Sequence, residues 1–184
     1  WFDPKLHTNN SLKNIFNNTN LKLIPINENL IDKLITVNSP KKEKKFFVMP
    51  NKSVGEIYSR KISNLVNILK KRKINLNFIS SSENIAWLLN IRGSDTQYSP
   101  LPNCYLIIDL KKNINFFCNT EKIDKKLKNS FRNINFINIK NIYEYLSKIE
   151  NQNILIDSLT CSVLFENIFS KNNKIFKNID PIYY

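Results

Sequence analysis

Histidine occurs once in this 184-residue chain, glycine twice and alanine once. His7 stands near the N-terminus, so no Ser-His-Asp or Cys-His nucleophilic constellation can be assembled around it; it reads as a structural histidine. Two glycines, Gly55 and Gly93, cannot build a P-loop or the glycine-rich turn of a dinucleotide fold. The three cysteines (Cys104, Cys118 and Cys161) are odd in number and lack C-x-x-C spacing, which gives neither a disulfide framework nor a zinc signature. That usage fits a reducing, cytoplasmic setting. No apolar run approaches membrane-spanning length, no signal-peptide pattern is present, and no repeat at solenoid spacing is visible. At 42% hydrophobic and 11% aromatic residues the chain can fold around a core. Its length suits one full domain and a piece of another.

The formal net charge is +13, which raises the question of a polyanion partner. Arginine, the better phosphate fork, is scarce, and no arginine pattern interleaved with aromatics occurs. The run Lys41–Lys45 falls in a polar stretch interrupted by Pro40. The run Lys70–Lys73 closes a helix, where cations complement the negative end of the macrodipole. Both read as solvated surface, with neither nucleic acid nor membrane as partner.

Against the Lys- and Asn-rich background, Ile85-Ala-Trp-Leu-Leu-Asn-Ile-Arg-Gly-Ser-Asp95 is an island. It holds the only alanine, Ala86, together with Trp87, Arg92, Gly93 and Asp95. The string resembles the signature of the middle domain of three-domain aminopeptidase P (Xaa-Pro aminopeptidase), a branch of the creatinase/prolidase superfamily. Further matches follow in order. Trp1-Phe-Asp-Pro-Lys-Leu-His-Thr8 resembles the end of the family's first domain, as does Leu23-Ile-Pro-Ile-Asn-Glu-Asn-Leu-Ile-Asp32. Lys61-Ile62 with Leu65 falls on the family's K-[IL]-x-x-L-R helix, with Val66 in place of the arginine. Tyr98-Ser-Pro100 and Tyr105 complete the set, so the resemblance covers roughly residues 1–123.

The resemblance implies an α/β fold, a mixed β-sheet flanked by helices like the creatinase/prolidase N-terminal domain. It also implies a division of the chain. Residues 1–37 are the C-terminal part of a first such domain, 38–52 a linker and leading segment, and 53–184 a second such domain. The family's chemistry is hydrolysis by two bridged divalent ions held by Asp, Asp, His, Glu and Glu on a separate catalytic domain. No histidine follows Asp95, Asp109 or Asp157, so that ligand order cannot be met and the chain is expected to bind no metal. It is accordingly expected to be a catalytically silent fragment of a larger enzyme. The resemblance implies that the parent carries two metal ions, manganese by expectation, acts in the cytoplasm as a homodimer, and cleaves peptides with proline in second position. Two alternatives stand beside it: the same domain in a prolidase or creatinase-like hydrolase, and a stand-alone binding or scaffold module.

Residue patterning gives the elements independently. Ser53-Val-Gly-Glu56 reads as a capping box opening a helix to about Lys73, with Ile57, Tyr58, Ile62, Leu65, Val66 and Leu69 on its apolar face. Leu76–Ile79 is a strand, and Ser80–Glu83 a second box before the short helix carrying Trp87. Cys104–Ile108 and Ile114–Cys118 pair across the turn 109–113. A helix over 121–129, a strand at 134–137, a helix capped by Asn141, a strand at 154–156, a helix over Val163–Ile168 and a strand at 174–176 complete an alternating order, which implies a mixed sheet covered by helices.

Within the island, Trp87 is expected in the core and Gly93 at a backbone geometry that a side chain would forbid. Arg92 and Asp95 are close enough in sequence to pair. They are expected to brace their loop or its contact with the catalytic domain; the sharper alternative has Arg92 facing the substrate cleft as a guanidinium fork.

Overall fold

The computed structural model describes residues 1–26, 28–29, 31–32, 34 and 44–183. The polar stretch that marks a domain boundary in the sequence lies, over residues 37–43, outside the described residues.

Asp109 makes the central hairpin. Its carboxylate accepts from the backbone N–H groups of Lys111 and Asn113 and from the Asn113 side chain, and Lys112 takes a positive φ of 68° to close the turn. The flanking strands β4 (Cys104–Asp109) and β5 (Ile114–Cys118) pair antiparallel. Around them lies a six-stranded sheet in the order β6-β5-β4-β2-β7-β8. Its other members are β2 (Leu76–Ile79), β6 (Ile134–Asn138), β7 (Asn153–Ile156) and β8 (Lys174–Lys177). The β2–β4 pair is antiparallel, whereas β5–β6, β2–β7 and β7–β8 are parallel. The sheet is mixed and helices cover both faces, as the alternation of segments implies.

Side chains two apart on a strand share a face, and each face has its own core. Leu106, Ile108, Phe116 and Leu155 pack with the apolar stripe of α2 (Tyr58–Lys71) and α3 (Ser82–Leu89). Phe78, Ile107, Phe117 and Ile156 pack with α5 (Ile142–Ser147) and α6 (Val163–Ser170). Two further helices, α1 (Asn9–Phe16) and α4 (Lys125–Asn129), lie at the periphery. A separate two-stranded ribbon joins β1 (Phe47–Val48) to β3 (Ile91–Arg92).

Several local expectations are corrected. The box at Ser53–Glu56 does not form: Ser53 ends a 3-10 turn, the α2 cap is Ile57 without a side-chain bond, and Ile57 is exposed. At α3 the cap is Ser81 rather than the expected Ser80: its hydroxyl accepts from Asn84 N–H and donates to Glu83, which does not reach back to the backbone. Asn141 makes no capping bond; Asn138 caps the 3-10 turn before it. The helix expected over 121–129 breaks at Ile123, and Asp124 caps the shorter α4. A reciprocal box does form at Thr8 and Ser11, opening α1.

The N-terminal segment caps α6. The Val163 and Leu164 N–H groups donate to the carbonyls of His7 and Pro4, at 2.8 and 2.9 Å. These are orphan donors of the first helical turn, and Ser162 gives them no side-chain cap.

The C-terminal tail returns across the α2–α3 face. Asp180 is fully buried there, accepting from the Asn84 side chain at 2.7 Å, while its own N–H donates to the buried Asp157. Burial pushes the Asp180 carboxyl up to about 6; the Asn84 amide pulls it down and the Asp157 charge adds to the rise. The folded protein therefore holds this proton more tightly than the unfolded chain. The stabilising effect is complete below pH 3.8 and is lost as pH rises through about 6. Asp180→Asn removes it: its stability relative to the parent chain should rise by about 2 kcal/mol between pH 4 and 7. Urea unfolding across that range checks this, and a pH-independent difference would contradict it.

Candidate functional site

The island occupies α3, β3 and the loop that follows. An α-helix ends with carbonyls that lack intrahelical partners, and two cations meet those of α3. Lys61, from the first turn of α2, places its ammonium 2.7 Å from the Trp87 carbonyl and 2.7 Å from Asn90 Oδ1. Arg92 Nη1 donates to the carbonyls of Ala86 and Ile91, each at 2.8 Å. Both sit where the macrodipole favours positive charge. Asn90 turns the chain with a left-handed φ of 54°, and its amide donates back to the Glu56 carbonyl. Burial pushes the Lys61 pKa down; Glu56 raises it and Arg92 lowers it further.

Trp87 is not in the core. Its side chain is 46% exposed because it lies on the outer side of α3, whose inner side is taken by Ile85, Leu88 and Leu89. The Lys61 ammonium lies 4.0 Å from its ring centre, a cation–π contact. Lys61, matched in sequence only as a motif position, was the residue missed; a lysine in the apolar stripe of a helix was the available signal.

Gly93 has no positive φ. Close approach demands it instead: an added Cβ would sit 2.7 Å from Pro102 Cα and 3.0 Å from the Phe46 ring. That contact lets the loop fold back, with the Gly93 and Asp95 N–H groups donating to the Pro100 and Leu101 carbonyls.

Arg92 and Asp95 do not pair with one another. Asp95 binds Lys122 at 2.6 Å, both side chains nearly buried, and accepts from the Asn103 N–H. Lys122 follows β5, and its carbonyl accepts from the Phe46 N–H, so one ion pair ties the loop, the ribbon and the sheet together. At the tip, Tyr98 has a positive φ of 62° and is 98% exposed. An open recess of about 930 Å³ runs beside the loop, with Phe47, Asp95, Tyr98 and Lys122 among its lining residues. Arg92 does not line it.

A two-metal hydrolytic centre does not fit these residues. Among the described residues no three His, Cys, Asp or Glu side chains are grouped to hold a metal ion. His7 lies edge-on to Phe2 with ring centres 6.2 Å apart. The three cysteines are buried and free, and burial pushes the thiols of Cys118 and Cys161 up, the former to about 12, so they are poor nucleophiles. No helix among the described residues is long and apolar enough to cross a membrane.

Comparison with known proteins locates this arrangement. The sequence profile of the creatinase/prolidase N-terminal domain matches residues 38–184. The Xaa-Pro aminopeptidase app-1 of Caenorhabditis elegans is 30% identical over 151 residues, covering 79% of this chain and 24% of that protein. Xaa-Pro aminopeptidase 1 of Dictyostelium discoideum is 29% identical over 164 residues, covering 84% of this chain and 26% of that protein. The chain thus spans about a quarter of the length of these relatives. The crystal structure of the X-prolyl aminopeptidase from C. elegans, a cytosolic enzyme with a di-nuclear active site, superposes with a TM-score of 0.83 at 25% identity. The match covers 98% of this chain and 31% of that enzyme.

Two substitutions test the geometry. Gly93→Ala should cost about 2 kcal/mol, since Pro102 backbone must give way. Asp95→Asn keeps the shape and removes the charge, and should cost roughly 3 kcal/mol. Denaturant unfolding measures both, and a change under half a kcal/mol in either would show that the loop is not held as described.

Proposed function

The chain belongs to the creatinase/prolidase N-terminal-domain family, and on that footing we propose that it is the non-catalytic middle domain of a metal-dependent Xaa-Pro aminopeptidase. One observation carries the reading. Nearly the whole chain superposes on less than a third of an enzyme with a di-nuclear site, while the described residues hold no cluster able to bind a metal.

In this reading residues 53–184 are the second domain, 1–37 the end of the first, and 38–52 the segment between them. The parent acts in the cytoplasm as a homodimer and removes the N-terminal residue from peptides whose second residue is proline. Two divalent ions, manganese by preference, supply an activated water and stabilise the developing oxyanion on the catalytic domain. This chain contributes no reacting group. Its part is to present a rigid loop at residues 93–103, and the ion pair of Asp95 supports that role. The role of Arg92 is narrower than a substrate fork, because its Nη1 already holds the end of α3.

The test is release of the N-terminal residue from an X-Pro-Pro tripeptide with added manganese, using the full-length gene product with this chain as control. Activity should appear in the longer protein only. Metal-dependent hydrolysis by this chain alone would contradict the proposal, as would a metal-loaded parent that spares Xaa-Pro bonds.

A further inference from the structure

The two outer strands of the sheet are built differently. β8 reads Lys174-Ile-Phe-Lys177, with a lysine at each end, and Lys177 is engaged by Glu166. Charge of this kind is how edge strands avoid pairing with other chains. β6 reads Ile134-Asn-Phe-Ile-Asn138, with no charge, no proline and no bulge in its five-residue register against β5. An open recess of about 250 Å³, lined by Lys128, Ile134, Asn135 and Phe136, lies beside it. No strand among the described residues pairs with its outer side.

The ladder fixes which groups point outward. The Ile114 N–H donates to the Asn133 carbonyl at 3.0 Å. In a parallel pair each residue aims both backbone groups at one neighbour and successive residues alternate. Asn135 and Ile137 therefore face β5, and Ile134 and Phe136 turn their N–H and C=O away from the sheet. Phe136 is anchored by edge-on contacts with Phe116 and Phe131, so the edge is preorganised and little ordering entropy opposes a partner.

Its charge is one-sided. Between Lys125 and Tyr143 there is no Asp or Glu, and the cations Lys125, Lys126, Lys128, Arg132 and Lys140 are all exposed. We propose that the outer edge of β6 is a docking surface for an extended acidic segment of a partner protein, which adds as a further strand. Backbone pairing supplies the register and the cations supply complementarity. A second copy of this chain would bring the same cations against themselves. A nucleic acid would match the charge but not the alternating donors and acceptors of Ile134 and Phe136.

A fluorescent peptide alternating glutamate and valine is the probe, titrated into this chain near physiological salt. It should bind, and amide exchange at Ile134 and Phe136 should slow by about tenfold, as expected for newly bonded edge groups. N-methylation at successive central residues of the peptide, which spoils both of its edges, should weaken binding by about tenfold or more. The exposed double variant Lys128→Glu/Arg132→Glu should weaken it similarly through charge alone. Equal binding of the N-methylated peptide or of oligothymidylate would overturn the proposal in favour of charge attraction. Failure of the unmodified peptide to bind, or self-association of the chain through this edge, would also overturn it.

Discussion

The carbonyls that end α3 organise this molecule. A short helix running into a buried turn leaves carbonyls without intrahelical partners, and the chain answers with an ammonium from α2 and a guanidinium from β3. From that clamp the rest follows in order. Asn90 can adopt its left-handed turn because its side chain is bonded on both sides. β3 then runs against β1, Gly93 closes on Pro102, and Asp95 reaches Lys122. Each step requires the previous one to be correctly placed. This explains why the most distinctive residues of the sequence are contiguous although their partners are scattered along the chain.

Polar groups are used in two ways inside the protein. The clamp and the Asp95–Lys122 pair answer buried charge with opposite charge or carbonyl dipoles, which makes them rigid. The Asp180 cluster does the reverse. A carboxylate there meets another carboxylate, with the amide of Asn77 fully buried in the same face. The tail it anchors is thus held best when Asp180 carries a proton.

The strands were legible because their signal is local: β-branched and aromatic runs, with polar turns such as Asp109–Asn113 between them. The α2 stripe was legible for the same reason. Capping was not, because Ser53 and Ser80 satisfy the pattern while reciprocity depends on backbone angles that sequence does not carry. Trp87 misled through its apolar neighbours, since an amphipathic helix also has an outer face. Arg92 and Asp95 are near in sequence, yet β3 and the close-packed turn at Gly93 send them to different partners. Gly93 was read correctly as a constraint with the wrong cause, because Pro102 meets it only in the folded chain. Lys61 stayed hidden, as a charge within a helical stripe explains itself only through a carbonyl on another helix.

Membership of the creatinase/prolidase N-terminal-domain family gives this chain its frame, and the clamp gives the loop its shape. The most direct test of the account is hydrogen exchange in Lys61→Met, which keeps the stem of the side chain and removes its donors. The account predicts exchange faster by about tenfold or more at Asn90, Gly93 and Asp95, with β4 and β5 unchanged, as for a local opening. Unaltered protection of the loop amides in a folded Lys61→Met protein would show that the loop stands without the clamp.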